Sequence, residues 1–552
     1  MAFDGIVTKA IVTELQELVG SKIDKVHEPD RNTIVLGLYS QGKNYALNIC
    51  IDAHNCRLNL TTHNKLNPLV APNFCMLLRK HLIGGKISGI FMQGLERIVN
   101  IEIETINEFN EIENKTLILE LMGKHSNIIL KNQNDIIIDA MRHIASNNSY
   151  REILPSRIYT LPQSNKYEFT KLSGPEEFGE KLEIDSTEND YAKKLSNTFT
   201  GISLSFAKSA VEQRELPEIY NYINEIINSE KLKFELEGSD YVLKLSDQEK
   251  EMFELNFFID DFYFERETTE AFTNARNTML RMILEVLKKY KNRLTSIDAK
   301  LQECDGMDKY RLYGELITAN LYQLTNTHSD SIELYNYYDN SNIKIPLDVK
   351  YSPSMNAKRY FKKYSKLKNA YKIVSEQKVE TEKELNYIES IVYELEDSTC
   401  LEDVQDIFEE ISENVVFKEK LKRKEKKNKN QKKKKQQKFS PIEYEVNGYK
   451  IYVGRNNKEN DWLTLSFASK TDYWFHTKDV QGSHVILKAD KEVNDDILVK
   501  VAEIAAKHSK AKMSSNVPVD YCLVQFVKKP NGSKPGMVIF TNNKTLNVNP
   551  QK

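Results

Sequence analysis

Over residues 1 to about 160, short apolar runs alternate with polar punctuation. TIVLGLYS, YALNICID, RIVNIEIE, TLILELMG, NIILKN and DIIIDA have the length and β-branched content of strands and are separated by Gly, Asn and Asp turns. They predict a mostly antiparallel sheet in an α+β domain spanning residues 1–170. Between strands, in PNFCMLLRKHLIGGKI, Phe74, Leu77, Leu78 and His81 recur at helical spacing and Gly84-Gly85 supplies the stop. Arg79, Lys80 and Lys86 then fall around the exposed side and end of that helix. Residues 171–265 read as mainly helical. Within them LSNTFTGISLSFAKSAV resembles a helix-hairpin-helix, in which a glycine turn lets backbone amides approach a phosphate. Gly201 is present, but Ser203 stands where the second glycine of that turn usually falls, so simple helix packing is the competing reading.

The periodicity changes after residue 265. Tyr360, Tyr364, Leu367, Tyr371, Val374, Lys378, Thr381, Leu385, Ile388, Val392 and Leu395 follow steps of four and three, a heptad seam weakened at Lys378 and Thr381. Phe272, Ala275, Met279, Met282, Val286, Tyr290, Leu294, Ile297, Leu301 and Cys304 form a similar seam, with successive four-residue steps that locally unwind a supercoil. Together they predict a long antiparallel coiled-coil arm over residues 266–415. SIELYNYYDNSNIKIPLDV reads as a β-hairpin turning at Asn340 to Asn342, so the arm carries a small β tip at about residues 325–355. From Phe439 onward, IEYEVNGYKIYVGR, TDYWFHT, HVILKA, YCLVQFVK and MVIFTN surround one helix at about Ile497 to Lys510. This predicts a second α+β domain over residues 439–552.

Charge changes this picture at one place. The chain carries a net charge of −2, yet Lys418 to Lys438 holds thirteen Lys or Arg against two Glu, leaving −13 on everything else. A polyanion would therefore be bound locally rather than by a generally basic body. The run, residues 416–438, reads as a solvated linker, and its charge density is also suited to releasing counterions from a phosphate backbone. Apolar stretches are short and interrupted, and the N-terminus shows no secretory cleavage pattern, so the chain is expected in the cytoplasm, with no membrane partner. Six cysteines without a CxxC pair argue against a disulfide framework or a zinc site.

The segment with most chemistry per residue is DYWFHTKDVQGSHV. In a strand, Tyr473 and Phe475 take one face and Trp474 and His476 the other, so an aromatic and an imidazole are expected to point away from the core. Gly482 then permits a sharp turn that sets Ser483 and His484 beside the strand end. Aromatic faces with cationic and hydroxyl donors suit single-stranded or looped RNA, while a sheet core with hydrogen-bonded histidines is the plainer alternative. His476 and His484 lack a third ligand at suitable spacing, so no metal is expected.

MAFDGIVTKAIVTEL, FCMLLRKHLIGGKI followed by GLERIV, LMGKHSNIIL, REILP, MNAKRYFKKYSKLKNA, DYWFHTKDVQGSHV and KKPNGSKPGMVIFT, in this order, resemble the NFACT family across nearly the whole chain. The resemblance implies a glycosylase-like N-terminal domain and a C-terminal NFACT-R RNA-binding domain. It also implies a ribosome-associated quality-control factor that binds large subunits obstructed by peptidyl-tRNA. Such a factor recruits alanyl-tRNA for untemplated alanine tailing, and the ribosome itself forms the peptide bond. Implied partners are that subunit, its rRNA, tRNA, and a small RNA-binding quality-control protein; no cofactor is implied. Glycosylases of the related fold use an N-terminal proline followed by glutamate, whereas this chain begins Met1, Ala2, Phe3, Asp4, so the nucleophile is missing.

By the same resemblance, Glu96 and Arg97 engage tRNA, with Glu96 where most members have Asp; Arg79 and Lys80, cations on the exposed side of their helix, are expected to bind the same partner. The guanidinium is suited to a bidentate grip on phosphate or a base edge, while a structural ion pair is the alternative. The RNA-binding positions carried over are Asp472, Trp474, His476, Lys478, Gly482, Ser483 and His484, with Gln481 replacing the usual proline and so releasing a φ constraint. Bacterial members have also been called fibronectin-binding proteins. A surface adhesin is thus the competing function, though no export signal or ligand-binding repeat supports it.

Overall fold

The computed structural model describes residues 3–107, 109–145, 151–182, 190–249, 251–324, 329–414, 417, 439–489 and 493–550. The Lys418 to Lys438 run lies outside them. The chain divides into two compact units, Met1–Glu267 and Thr268–Lys552.

The first unit opens with helix α1 (Gly5–Leu15), whose first turn is capped by the Asp4 carboxylate accepting the Val7 N–H at 3.0 Å. Nine strands follow: β1 (Lys22–Asp30), β2 (Thr33–Ser40), β3 (Lys43–Cys50), β4 (Arg57–Leu60), β5 (Lys86–Met92), β6 (Ile98–Ile106), β7 (Ile112–Glu120), β8 (Asn127–Asn132) and β9 (Ile137–Ala140). They form one sheet in the order β4-β3-β2-β1-β5-β6-β7-β8-β9, with every neighbour antiparallel. The expected strands and the helix α2 (Asn73–Leu82) are present.

Three strands of this sheet escaped the apolar-run criterion: β1, β4 and β5. In β1 only Ile23, Val26 and Glu28 turn inward, and charged residues on the other positions disguise the alternation. Helices α3 (Pro175–Leu182), α4 (Tyr191–Thr198), α5 (Leu204–Val211) and α6 (Leu216–Asn228) and the hairpin β10 (Leu232–Glu237) and β11 (Asp240–Leu245) complete the unit. One apolar cluster runs from Phe3 through the sheet and these helices to Tyr263, so the two expected N-terminal segments share a core.

Helix α7 (Glu254–Asp305) carries the first seam, and α8 (Asp308–Ala319) continues it after a short break. Strands β12 (Ser331–Asn336) and β13 (Ser341–Pro346) form the expected hairpin, with Asn340 at φ 58° in the turn. The chain then returns in α9 (Pro353–Asp397). Lys291 pairs with Glu389 at 3.1 Å and Asp298 with Lys378 at 2.8 Å, so position rises on one helix as it falls on the other and the pairing is antiparallel. Lys378, a weak seam residue in sequence, thus becomes a cross-helix ion pair. Tyr387 and Ile391 are buried beside the expected Ile388 and Leu395 because α10 (Leu401–Glu413) packs on the same end and widens the apolar stripe.

The last domain is a six-stranded sheet, β14 (Ile442–Val446), β15 (Tyr449–Val453), β16 (Tyr473–Thr477), β17 (Val485–Leu487), β18 (Val517–Leu523) and β21 (Lys544–Val548), in the order β14-β15-β17-β16-β18-β21. A two-stranded pair, β19 (Val527–Lys528) and β20 (Ile539–Phe540), stands beside it. Helix α11 (Asn457–Trp462) and its π-turn extension Leu463–Phe467 contribute to the apolar layer on one face of the sheet, and α12 (Asp495–Lys507) covers the other.

Candidate nucleic-acid interfaces

In the first unit the Glu96–Arg97 pair sits just before β6, at the end of a loop shaped by glycine. Gly94 takes φ +57°, and a Cβ there would lie 1.5 Å from the Glu168 Oε1, so only glycine admits that carboxylate beside the pair. Burial raises the Glu96 carboxyl above its ordinary value. Glu168 adds to this by like-charge repulsion, while Arg97 and Lys166 oppose it. Lys166 is lowered by burial and by Arg97, and its Nζ donates to the Ser196 carbonyl at 2.6 Å. Glu168 in turn pairs with Lys171 at 2.6 Å. The site is therefore a mixed-charge cluster of Glu96, Arg97, Lys166 and Glu168. The last two lie some seventy residues further along the chain, with no local pattern to announce them.

Arg79 and Lys80 belong to another neighbourhood. The Arg79 Nε donates to the Val26 carbonyl at 2.9 Å, and Lys80 is exposed in the last turn of α2, beside His81, whose pKa is held down by burial and then by Lys115 and Lys80. The α4–α5 turn also differs from a phosphate-binding one. The Ser203 N–H, which such a turn would offer to an anion, donates to the Asp4 carboxylate at 3.1 Å, and the Ser203 hydroxyl caps α5 by accepting the Phe206 N–H at 3.2 Å.

In the C-terminal domain most of the expected RNA-facing side chains are interior. Trp474 is 1% exposed and Phe475 is fully buried, because apolar layers cover both faces of the sheet and either side of β16 becomes core. This corrects the expectation of an outward aromatic platform. Asp472, also buried, is a clamp: it accepts Lys488 Nζ at 2.9 Å, the Ser469 N–H at 2.7 Å and the Ala489 N–H at 3.2 Å. Buried His484 meets the Thr464 hydroxyl through Nδ1 at 2.8 Å, and its own N–H donates to the Asn460 Oδ1 at 3.0 Å.

Burial, with His476 adding to it, drives the His484 pKa down to about 3, so the ring is neutral at physiological pH. His476 is half-buried and also lowered, chiefly by burial. It stacks on Trp474 with ring centroids 5.7 Å apart. Gly482 has no left-handed φ; glycine is required there because a Cβ would meet the Thr477 Oγ1 at 2.8 Å and the Ser509 Cβ at 2.9 Å. That close approach, not a sharp turn, explains the residue. Ser483 donates its N–H to the His508 carbonyl and Gln481 accepts the Lys510 N–H, both at 2.9 Å, so backbone bonds fix the loop without the usual proline. Lys478 alone among the seven expected residues is exposed.

The KKPNGSKPGMVIFT block has a role that its sequence concealed. Lys534 reaches Glu384 of α9 at 3.0 Å, and Gly536 leaves room for the Asn457 side chain, which would lie 2.1 Å from a Cβ there. Asn457 Nδ2 donates to Glu410 at 3.2 Å and to Ser390 at 3.1 Å, and Arg455 pairs with Asp403 at 3.1 Å. These contacts join the C-terminal domain to the base of the helical arm.

Among the described residues His63, Asp260 and Asp261 form one grouping of metal-ligand type. Asp260 already accepts Asn59 Nδ2 at 3.1 Å and the Thr62 N–H at 2.8 Å, and His63 meets Asp261 at 3.0 Å, so these groups satisfy one another. No helix among the described residues is long and apolar enough to cross a membrane.

A family model described as the NFACT N-terminal and middle domains matches residues 4–434, and one described as the NFACT protein RNA binding domain matches residues 438–542. The chain belongs to the NFACT family. It is 34% identical over 578 residues to the Rqc2 homolog RqcH of Bacillus subtilis (strain 168), covering 100% of this chain and 98% of that protein. It is 33% identical over 558 residues to the Rqc2 homolog RqcH of Streptococcus pneumoniae serotype 2 (strain D39 / NCTC 7466), with the same coverages of 100% and 98%. Solved structures similar to parts of the chain include the N-terminal part of the fibronectin/fibrinogen-binding protein from Streptococcus suis, at 29% identity and a TM-score of 0.42, covering 48% of this chain and 99% of that one. The C-terminal part of the same protein is 30% identical with a TM-score of 0.40, covering 51% and 96%.

Proposed function

We propose that this protein is a ribosome-associated quality-control factor. It binds large ribosomal subunits obstructed by peptidyl-tRNA and recruits tRNA, of the alanine type, for untemplated C-terminal tailing of the stalled chain. The observation that carries this reading is the collinear match, over 100% of the chain, to the Rqc2 homologs named RqcH, together with the RNA-binding family domain at residues 438–542. The tRNA is held at Glu96 and Arg97, with Lys166 beside them, where a guanidinium grips phosphate or a base edge. Peptide-bond formation is left to the ribosome, and no cofactor is required.

In the C-terminal domain Lys478 and the half-buried His476 supply the RNA contact. Asp472, Trp474, Gly482, Ser483 and His484 support it from inside. The antiparallel arm carries the β12–β13 hairpin, with exposed Tyr335, Tyr337 and Tyr338, to a second contact on the subunit. Arg79, Lys80 and the Lys418 to Lys438 run add phosphate contacts, and a small RNA-binding protein shares the complex.

The test is affinity purification at physiological salt followed by sequencing of the bound RNA. Enrichment of one tRNA species with large-subunit rRNA is expected. Recovery of neither, with binding to immobilised fibronectin instead, would make the protein an adhesin.

A further inference from the structure

The β6–β7 hairpin ends on three apolar side chains in water: Ile106 is 72% exposed, Ile112 73% and Phe109 83%. They are grouped by the ladder. Ile106 and Ile112 face each other on its last rung, so they share one side of the hairpin, and Phe109 lies in the connecting loop. The loop is built to hold this shape. Asn107 Oδ1 accepts the N–H groups of Phe109 and Glu111 at 2.9 Å each, the Asn107 N–H donates to the Glu111 carbonyl at 2.9 Å, and Asn110 takes the left-handed φ of 62° that closes the turn. Along β6 the outward positions run Glu102, Glu104, Ile106, so the alternation that supplies a carboxylate twice supplies an isoleucine at the third place. Grouped apolar exposure on an ordered element, with polar residues behind it, marks a contact surface.

Its charge selects the kind of partner. Residues 101–114 contain glutamates and no Lys or Arg. Glu113 is balanced by Lys115 at 2.8 Å, and Lys86 stands across from Glu104 on the neighbouring strand, which leaves Glu102, Glu111 and, by sequence, Glu108 to set the sign near the tip. A phosphate backbone would be repelled there, while a basic protein surface with an apolar pocket is complementary. We propose that this hairpin is a protein-docking finger that seats Ile106, Phe109 and Ile112 in an apolar pocket rimmed by lysine or arginine. The inference rests on the ribosome-bound reading above for its partner, a basic protein of the large subunit and not its RNA.

The full-length chain with Phe109 replaced by p-benzoylphenylalanine, irradiated on purified large subunits carrying peptidyl-tRNA, is expected to crosslink to one basic subunit protein. The I106S/F109S/I112S variant, which removes only exposed side chains, should melt as the unaltered chain does yet cosediment with about tenfold lower affinity, as loss of an apolar anchor predicts. Crosslinks to rRNA, to tRNA or to a second copy of this chain overturn the proposal, and so does unchanged cosedimentation of the triple variant. If the unaltered chain fails to cosediment at all, the ribosome reading itself falls and takes this partner with it.

Discussion

The Asp4 carboxylate accepts the backbone N–H of Ser203 at 3.1 Å, and beside this bond the Gly5 N–H donates to the Gly201 carbonyl at 2.8 Å. The two glycines are in contact with the residue that precedes the Glu96–Arg97 pair. A Cβ on either would lie 2.1 Å from the Leu95 carbonyl oxygen. The N-terminal block FDG and the turn TGIS are therefore a mount for the site, and Asp4, whose pKa burial raises, is a buried cap and not a reacting group.

Gly201→Ala should be damaging on two counts, since φ there is +76° and the added carbon meets Leu95. We expect a loss of about 2–4 kcal/mol of stability from strain and overpacking, with weaker tRNA copurification because Leu95 is displaced. Gly174→Ala, where a Cβ meets nothing within 4 Å, is the control and should melt unchanged. Equal melting of the two variants in a denaturant titration would show that the mount is dispensable.

Arg97→Ala removes a half-buried guanidinium but leaves the backbone bond from the Leu121 N–H to the Arg97 carbonyl, at 2.8 Å, untouched. The fold should survive, and tRNA recruitment should fall by about tenfold or more, as loss of a charge-assisted bidentate contact implies. Glu96→Asp should be tolerated. Full tRNA copurification and tailing by Arg97→Ala in a reconstituted stalled-ribosome assay would assign the pair a structural role instead.

Sequence periodicity reached the arm and the sheet strands because a seam of fixed period or an apolar run reports burial directly. It failed where burial is decided by distant chain. Trp474 and His476 share a strand face that in isolation would be half solvated, and only the packing of Leu463, Val524 and Val527 on that face makes Trp474 interior. Strand β5 was hidden by Lys86 and Ser88 on its outward positions. Glu168 and Lys166 joined the candidate site without any local signal, because chain reversal and the space left by Gly94 bring them there.

Low pH should loosen the C-terminal domain through His484. Its folded pKa, about 3, lies below the ordinary value, so the unfolded chain binds the proton first. The stabilisation is complete above the unfolded value, near pH ~6.5, and is lost as pH falls toward the folded one, at about 1.4 kcal/mol per pH unit within that window. His484→Gln should flatten the dependence in thermal melts between pH 7 and pH 4. An unchanged slope would place the sensitivity elsewhere.

The acidic pair at the base of the arm has the opposite sign. Burial raises both Glu394 and Glu410, and Glu410 accepts the Tyr387 hydroxyl at 2.8 Å. Carboxyls with raised folded pKa values stabilise below their unfolded value of ~4.5 and lose that contribution as pH rises through the folded one. Glu394→Gln, which keeps the shape without the charge, should therefore stabilise by about 1–2 kcal/mol at pH 8 and hardly at all at pH 4. Destabilisation at pH 8 would mean that the ionised carboxylate has a partner at this joint.

The arm offers a test of geometry. The Asp298–Lys378 pair fixes the register between α7 and α9, and α8 lies so close to α9 that a Cβ on Gly314 would meet the Phe361 ring at 2.9 Å. The register is thus set at two places toward the tip, and the seam repeats between them and the base. Removing one heptad from each helix, residues 288–294 and 379–385, deletes about 10 Å at 1.5 Å per residue and keeps apolar positions facing; it also removes Lys291 and Glu384, the partners of Glu389 and Lys534, so the full-length K291A/E384A variant is the control. The shortened chain should fold, melt near the full-length protein and bind free tRNA. If the β12–β13 hairpin reaches a second contact on the large subunit, that contact is now about 10 Å out of reach, and cosedimentation and alanine tailing should both fall. Unaltered tailing by the shortened chain would make the arm a passive spacer and leave the contacts of the two globular parts as sufficient.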